Sequence, residues 1–421
     1  MEKRALMQSA NPVLPEVGFV PEALLAPRQA IVAYFARASV APAGSELVAL
    51  GDAFGRVLAQ HVAADEDYPN AARSLMDGFA LDSRSTPGTF EIVADVAMGI
   101  APAIALAAES SVRIPTGGVL PPGADAVVPI EEARVDGERL FVDAAVNSGA
   151  NVAARGADMH RGDALLAPGR RLRAAEIGLL ATLGITQVRV YRRPTVAVLS
   201  SGDELIEPQR RPRPGEIRDS NRFAIAASLQ AMGAAPHHYP TLRDEAGEFE
   251  SALGRALAEC DGVVVTGGSS VGERDRLPEA VAQVATPGII VHGLRVKPGK
   301  PTLLGAHGGK PIVGLPGNPM SALFILEAVA APIVAALVGA PARPATVRAR
   351  LESSARSRAG WTWLVPVSLR YDGGNPLAHP LDLRSFSTSI AARADGYIVM
   401  EERDEEWAPG TFATVHLFLG G

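Results

Sequence analysis

The spacing of apolar residues divides the chain into stretches with different periods. Apolar residues recur every three or four positions in 21–38 and in 45–62, and again in Ala174–Leu183, which Gly184 follows. This period is that of a helix with one buried face, and glycine is a common residue directly after a helix. The sequence therefore predicts a helix in each of these three stretches.

Between the second and third of these helices the period changes to that of strands. Residues 70–155 contain short runs of apolar and β-branched residues, separated by glycine, proline and aspartate. The clearest runs are Thr89–Val93, Ala126–Ile130 and Arg139–Val142. Runs of this kind are typical of β-strands. We therefore expect an elongated helical linker domain, made of 21–63 and 154–191, with a β domain of residues 64–153 inserted into it.

Strands and helices alternate in residues 192–340. The clearest predicted strands are Thr195–Ser201, Gly262–Thr266, Gly288–Val291, Thr302–Gly305 and Pro311–Gly314. The predicted helices are Asn221–Met232, Glu245–Cys260, Glu279–Ala285 and a long helix from Met320. This alternation is typical of a doubly wound, mostly parallel sheet whose loops gather at the carboxyl ends of the strands. Residues 341–421 return to a β pattern, so the sequence predicts an α/β multidomain protein with a small C-terminal β-barrel domain.

The most apolar run, Met320–Ala340, has the length of a membrane span and a single charge, Glu327. It also contains Pro332 and begins after the turn Gly317–Pro319. Because the neighbouring segments alternate strands with helices, this run is typical of a buried helix in an α/β layer. We expect it to cover the sheet, and we do not expect a membrane as a partner.

Composition narrows the class of protein further. Hydrophobic residues make up 47% of the chain and charged residues 20%, which is typical of folded domains. The net charge is −6 and no run of lysine and arginine occurs, so nucleic acid is not an expected partner. The single cysteine, Cys260, excludes an internal disulfide and a cysteine-based metal site. The N-terminal sequence has no apolar stretch typical of a signal peptide, so we expect a cytoplasmic location.

The strongest chemical signal is the loop that follows the predicted strand Gly262–Thr266. Its candidate anion-binding residues are Thr266, Gly267, Gly268, Ser269, Ser270 and Gly272. Glycines let successive backbone N–H groups turn toward one point, and the start of a helix adds a positive end. The loop therefore indicates a site for an oxyanion such as phosphate or molybdate. Gly268–Gly272 also satisfies the nucleophile motif of hydrolases, an alternative that needs a helix directly after the serine.

A second loop and two lysines extend this candidate site. The loop residues are Pro316, Gly317, Asn318 and Pro319. A helix start explains Asn318 as its cap and Pro319 as its first residue, but it does not explain the preceding proline and glycine. Lys297 and Lys300 lie on a proline-rich loop in a chain where only four of the 40 basic residues are lysines. We expect both lysines to bind an anion beside the two loops.

Acidic residues follow the same predicted strands. They are Glu204, Asp219, Asp244 and Asp275. Because the carboxyl ends of parallel strands meet at one edge of a sheet, we expect these side chains to lie at the same edge. Carboxylate oxygens are preferred ligands of divalent cations. The sequence therefore predicts a cation site that joins the acids to bound phosphate.

Several motifs occur in the order found in one protein family. They are Ser74–Ala80, Arg113–Gly118 with Pro121–Val128, Asn151–Asp158, Ser201–Leu205, Asp219–Asn221, Gly267–Asp275, Lys297–Pro301 and Gly314–Pro319. From about residue 21 to its end, the chain resembles the molybdopterin molybdenumtransferase family of molybdenum cofactor biosynthesis, which includes the bacterial MoeA proteins and the C-terminal domain of gephyrin.

The resemblance implies four domains and a homodimer whose cleft is shared between the subunits. It also implies a transferase that takes molybdate and adenylylated molybdopterin as substrates and releases AMP in a Mg²⁺-dependent reaction. Asp77 and Thr116 are expected to act from the inserted β domain on the cleft of the partner. Glu204, Asp244 and Asp275 are the expected Mg²⁺ ligands. Expected partners are molybdopterin adenylyltransferase and the molybdoenzymes that receive the cofactor.

The chain departs from the family pattern at three places. Pro278 stands where a lysine is usual, with Arg276 as the nearest positive charge, and Phe79 replaces a tyrosine. Asp382–Ser389 lacks the usual Gly-Ser core. Two alternatives therefore stay open beside the transferase. The first is a non-catalytic dimeric scaffold that binds pterin, and the second is a molybdopterin adenylyltransferase, against which the complete β insertion and C-terminal domain argue.

Overall fold

The computed structural model describes residues 24–243, 245, 247–268, 276–342, 344–382 and 388–418. These residues form two compact units. The larger unit contains residues 24–59, Gly169–Ile177 and residues from 187 onward, and the smaller contains Gln60–Pro168 and Gly178–Thr186. The division into four domains stays a prediction.

Eight α-helices lie in the described part of the chain. They are Pro27–Arg37, Ala174–Thr182, Asn221–Met232, Glu248–Glu259, Leu277–Val284, Pro319–Ile325, Ala331–Val338 and Thr388–Arg393. Their ends follow from local chemistry. Gly233 ends one helix at φ +104°, a conformation that glycine adopts without strain. Glu176 lies in the first turn of the helix Ala174–Thr182 and stabilises its start, because its carboxylate accepts the backbone N–H of Arg173 at 2.9 Å.

The predicted helix over 45–62 is wrong. Ser45–Ala49 is a strand that pairs antiparallel with Gln187–Tyr191, and a short 3₁₀ turn, Leu50–Asp52, follows it. Gly55 has φ +73°, which lies outside the right-handed helical region. Hydrogen bonds to a strand distant in sequence therefore override the helical spacing of the apolar residues.

A six-stranded sheet lies at the centre of the α/β part of the larger unit. In spatial order its strands are Ala235–His238, Thr195–Ser200, Gly262–Thr266, Lys310–Leu315, Leu303–His307 and Pro287–His292. The first four are parallel to one another, and Leu303–His307 runs antiparallel to its two neighbours. The carboxyl ends of the four parallel strands therefore share one edge, as predicted.

Successive residues of the central strand Thr195–Ser200 face opposite sides of this sheet. Val198 lies in a core with Ile225 and Phe324. Leu199 lies in a second core with Leu253. Because side chains alternate along a strand, helices cover both faces of the sheet. The predicted doubly wound α/β domain is confirmed.

The apolar run near residue 320 forms a helical stretch, Pro319–Val338. Among the described helices it is the one long and apolar enough to cross a membrane, and most of it is buried within the protein. A π-helical turn, Leu326–Ala330, interrupts it just before Pro332. A wider turn accommodates a proline, which lacks an N–H donor. The prediction of a buried helix is confirmed.

Five strands near the C-terminus close into a barrel. Their order is Thr362–Asp372, Asn375–Pro380, Thr346–Leu351, Phe412–Leu417 and Gly396–Met400, and the last pairs with the first. Val367, Ile398 and Val415 are fully buried inside. The short strand Val296–Lys297 pairs in parallel with the start of Thr362–Asp372. The predicted small β-barrel is confirmed, and it holds the lysine loop at its edge.

The smaller unit is built on a second six-stranded sheet. Its order is Ala126–Pro129, Gly78–Leu81, Ser110–Ile114, Gly88–Asp95, Arg139–Val142 and Arg134–Asp136. Phe79 packs with Phe90 and Leu140 on one face, and Ala80 packs with Val112 on the other. Two pairs of short strands also belong to the smaller unit, Val62–Ala63 with Ala164–Leu166 and Arg73–Ser74 with Val152–Ala153. In the larger unit, Leu205–Ile206 pairs with Ile217–Arg218, and Ala355–Arg356 pairs with Glu406–Trp407.

Candidate functional site

Three parallel strands of the α/β sheet bring the two predicted loops together. The strand register places Ser200 beside Thr266, and Thr266 beside Leu315. The residues that follow these strand ends, Ser201, Gly267 and Pro316, therefore lie side by side at the carboxyl edge. This is the edge at which open α/β sheets bind ligands.

The two loops approach each other closely at their glycines. Gly267 has φ +87°, and a Cβ atom there would stand 2.5 Å from the carbonyl oxygen of Ser201. A Cβ atom on Gly317 would stand 3.8 Å from the Cα atom of Gly267. Both approaches leave backbone rather than side chains facing the edge. A backbone-lined surface of this kind suits a phosphate.

Two buried polar side chains lie at this edge with unpaired atoms. Asn221 donates its amide N–H to the carbonyl oxygen of Gly317 at 2.9 Å. Its Oδ1 atom and the Oγ atom of Ser201 are buried and have no hydrogen-bond partner within the described residues. A buried polar atom without a partner costs free energy, so a ligand that pairs with both atoms is favoured. The sequence prediction left these two side chains out of the binding set.

Asn318 acts locally as a helix cap. Its Oδ1 atom accepts the backbone N–H and the hydroxyl of Ser321 at 3.2 and 3.3 Å, and Pro319 is the first helical residue. Pro316 is buried and Gly317 is exposed. The helix start thus explains Asn318 and Pro319, as the sequence indicated, while Gly317 carries the contact with the first loop.

The lysine loop packs against the helix that begins at the second loop. Gly299 has φ +118°, and a Cβ atom there would overlap the side chain of Ile325 at 2.2 Å. Lys297 is exposed, with its Nζ atom 5.5 Å from the centre of the Trp363 ring. Lys300 is half-buried, and its carbonyl oxygen accepts backbone N–H groups on both sides of the loop. The loop is therefore rigid and belongs to the same part of the fold.

The predicted acidic cluster lies partly outside the described residues. Asp244 and Asp275 fall there, and so do Ser269, Ser270 and Gly272 of the glycine loop. Glu204 is exposed, and its carboxylate folds back over Gly202. Asp219 is buried and accepts the backbone N–H of Arg222 at 3.1 Å, so its role is to hold the start of a helix. Within the described positions no group of three or more His, Cys, Asp or Glu residues is arranged to hold a metal.

The residues after the glycine loop bear on the hydrolase alternative and on the replacement of a usual lysine by Pro278. The next helix begins at Leu277, well after Ser270, whereas a nucleophile turn needs a helix directly after its serine. Pro278 is a buried residue in the first turn of this helix. Arg276, its nearest positive charge, pairs with Glu279 at 3.4 Å.

In the smaller unit the structure brings Asp77 and Thr116 together. The backbone N–H and the hydroxyl of Thr116 donate to the Asp77 carboxylate at 2.6 and 3.0 Å. These hydrogen bonds hold the pKa of Asp77 below its usual range, so the carboxylate is charged at neutral pH. Both residues are exposed. Phe79, in contrast, is buried in the core, so the missing hydroxyl is not a surface group.

The fold and the site together define an α/β ligand-binding protein with an inserted β unit and a C-terminal barrel. Three family models match it in succession. They are the MoeA N-terminal region (domain I and II) over residues 24–184, the probable molybdopterin binding domain over residues 197–336, and the MoeA C-terminal region (domain IV) over residues 348–418.

Similar proteins agree with these models. The chain is 34% identical over 305 residues to the molybdopterin molybdenumtransferase of Nostoc sp. (strain PCC 7120), with 70% of each chain covered. It is 30% identical over 369 residues to that of Bacillus subtilis (strain 168), covering 85% of this chain and 86% of the relative. The crystal structure of the molybdopterin biosynthesis MoeA protein from Pyrococcus horikoshii OT3 matches with a TM-score of 0.82 and 25% sequence identity. The match covers 94% of this chain and 100% of that chain. The chain therefore belongs to the molybdopterin molybdenumtransferase family, which consists of transferases of molybdenum cofactor biosynthesis.

Proposed function

We propose that this protein inserts molybdenum from molybdate into adenylylated molybdopterin and releases AMP in a Mg²⁺-dependent step. The observation that carries the proposal is the sheet edge where Gly267 and Gly317 lie close together beside the unpaired atoms of Ser201 and Asn221. Both substrates are anions. Backbone N–H groups of the two glycine turns and the nearby lysine loop are the kinds of group that bind anions. Relatives of this chain are molybdopterin molybdenumtransferases, which supports the transfer of molybdenum to molybdopterin.

Each group at the edge has a role in this proposal. Asn221 Oδ1 accepts an N–H of the pterin ring, and the Ser201 hydroxyl both donates and accepts. Lys297 and Lys300 offset the charge of phosphate and molybdate oxygens. None of these residues acts as a nucleophile. They bind the two substrates, orient them and neutralise charge as it develops.

A magnesium ion completes the proposed site. Glu204 offers an exposed carboxylate, the kind of hard oxygen ligand that Mg²⁺ prefers. We assign the ion to Glu204 together with Asp244 and Asp275. Bound magnesium would offset phosphate charge and polarise the phosphoryl group.

We also propose a homodimer in which Asp77 and Thr116 face the cleft of the partner subunit. Leu75, Met76 and Ile130 beside this pair are apolar residues that are 55%, 38% and 55% exposed. Exposed apolar residues around a polar pair are typical of an interaction surface.

The other proposed partners are molybdopterin adenylyltransferase and the molybdoenzymes that receive the cofactor, and the proposed location is the cytoplasm. Neither nucleic acid nor a membrane is a proposed partner.

Incubation with adenylylated molybdopterin, molybdate and Mg²⁺ tests the reaction. The expected products are AMP and a cofactor that activates an apo-molybdoenzyme, and omission of molybdate or Mg²⁺ should abolish both. Arg403→Gln, a substitution of an exposed arginine beside the barrel, is the matched control and should react like the wild type.

The same assay separates the two alternatives. A non-catalytic dimeric scaffold would bind the adenylylated pterin and release no AMP. The replacement of the usual lysine by Pro278, with Arg276 paired to Glu279, is the observation that favours this alternative. A molybdopterin adenylyltransferase would instead consume ATP when supplied with molybdopterin.

A further inference from the structure

A pocket with an unusual lining lies in the larger unit, away from the glycine loops. It has a volume of 280 Å³ and is lined by four arginines, Arg56, Arg171, Arg192 and Arg193, which we call the arginine pocket. Arg193 lies two residues before the strand Thr195–Ser200. The pocket therefore lies at the amino ends of the parallel strands, opposite to the edge that carries the candidate site.

Two of the four arginines have carboxylate partners. Arg56 pairs with Glu46. Arg192 donates to both carboxylate oxygens of Asp261, at 2.8 and 3.0 Å. Such bidentate pairs are charge-assisted and hold the guanidinium in place. These two arginines shape the pocket, but their charges are already offset.

The other two arginines have no carboxylate among the described residues. Arg171 donates to the carbonyl oxygens of Gly55 and Met232, at 2.9 and 3.1 Å. Arg193 is exposed and forms no ion pair with any described residue. Burial, together with the positive charge of Arg193, lowers the pKa of Arg171. The two positive charges thus repel each other, and an anion bound in the pocket that both residues line would offset that repulsion.

We propose that the arginine pocket binds a small anion that carries a phosphate group. Guanidinium groups present paired N–H donors that match phosphate oxygens. Two positive charges without carboxylate partners match the charge of a dianionic phosphate. The volume lies just below the usual range for ligand pockets, which suits a phosphate ion or a small phosphomonoester.

One feature of the pocket opposes the anion. The helix Asn221–Met232 ends there, and the negative end of a helix repels negative charge. Arg171 offsets this repulsion because it donates to the terminal carbonyl of Met232. The binding free energy therefore depends on Arg171 and Arg193 together.

Calorimetric titration of the full chain with inorganic phosphate and with glycerol 3-phosphate, at constant ionic strength, tests the proposal. Arg193→Gln should weaken binding about tenfold, because it removes a charge-assisted interaction. Its melting temperature without phosphate should equal or slightly exceed that of the wild type, since Arg193 is exposed and its removal relieves the repulsion with Arg171. The tighter of the two compounds shows whether the natural anion is the free ion or an ester.

Two control variants distinguish this pocket from other phosphate sites. Arg403→Gln, at an exposed position beside the barrel, should keep wild-type affinity. Lys300→Ala removes a proposed phosphate ligand at the opposite edge of the sheet, so it should leave unchanged the phosphate binding that Arg193→Gln weakens. Binding that is lost in Lys300→Ala but kept in Arg193→Gln would assign phosphate to the glycine loops and overturn the proposal. Equal losses in Arg193→Gln and Arg403→Gln would overturn it as well, by pointing to general charge attraction.

Discussion

Single residues set the shape and the polarity of the candidate site. Gly267 makes room for the backbone of Ser201, and Gly317 lies close to Gly267. Ser201 and Asn221 place buried oxygen atoms at the same edge. Unpaired buried oxygens cost free energy, so a ligand that forms hydrogen bonds with them stabilises the folded chain.

The first prediction concerns the close contact at Gly267. Gly267→Ala places a Cβ atom 2.5 Å from the carbonyl oxygen of Ser201, on a residue whose φ is +87°. Because this causes both overpacking and backbone strain, we expect the free energy of unfolding to fall by about 3 kcal/mol. AMP release should also fall sharply. Urea unfolding measures the stability change.

Gly215→Ala is the matched control for this substitution. Gly215 has φ +92°, but a Cβ atom there meets nothing within 4 Å. Its cost should be the backbone strain alone, about 1 kcal/mol. Equal losses in the two variants would show that the packing of Gly267 against Ser201 does not matter.

The second prediction concerns the head group of Lys300. A compact ammonium group suits a small tetrahedral oxyanion, whereas a guanidinium is larger and flat. We therefore expect Lys300→Arg to weaken molybdate binding about tenfold, nearly as much as Lys300→Ala, with little change in melting temperature. Titration of molybdate against AMP formation measures this. Wild-type behaviour of Lys300→Arg beside a defective Lys300→Ala would reduce the requirement to charge alone.

At the scale of elements, local pattern and long-range pairing decide different things. Ala174–Thr182 and Asn221–Met232 follow their apolar spacing, because their caps and their buried faces agree with it. Ser45–Ala49 does not, because its backbone pairs with Gln187–Tyr191, far away in sequence. No local pattern encodes that pairing, so sequence reasoning could not have found this strand.

The third prediction tests the start of the helix Ala174–Thr182. The carboxylate of Glu176 is 4% exposed and accepts N–H groups from Arg170 and Arg173. Glu176→Gln should lower the free energy of unfolding by about 2 kcal/mol, because it removes a buried charge-assisted contact. Glu279→Gln, which alters an exposed pair at another helix start, should change it by less than about 0.5 kcal/mol.

The effect of Glu176 should depend on pH in a defined direction. Its hydrogen bonds with Arg173 and Arg170 hold its pKa well below the usual value, so the charged form stabilises the folded state. The difference between wild type and Glu176→Gln should therefore be complete above about pH 5 and shrink as pH falls from about 4 toward the lowered pKa. Melting temperatures across this range measure it. A difference that stays constant down to acid pH would contradict the role of the charge.

At the scale of the whole molecule, the proposed homodimer makes the fourth prediction. Asp77→Ala and Asp275→Asn should each be inactive alone, because each removes one side of a shared cleft. A heterodimer of the two would contain one intact cleft and one with both defects. After random exchange of subunits, AMP release should return to about one quarter of the wild-type rate.

A mixture of Asp77→Ala with Thr116→Ala is the control for this experiment. Both substitutions lie in the same unit, so every cleft of a heterodimer carries one defect and no activity should return. If neither mixture recovers after verified exchange, the cleft is built within a single chain.

The sequence by itself determined the secondary structure of the α/β part and the positions of the glycine loops, since alternating or helical spacing and glycine turns are local properties. It also determined the family, because the motifs occur in the family's order even though the chain is only 30–34% identical to its relatives from Bacillus subtilis and Nostoc sp.. Only the tertiary structure decided the pairing of Ser45–Ala49 and the closure of the barrel by its first and last strands. It also decided which oxygens of Ser201 and Asn221 are left unpaired, and how four arginines from distant segments line one pocket. These properties depend on which residues far apart in the chain meet in space, and no local pattern of residues specifies that.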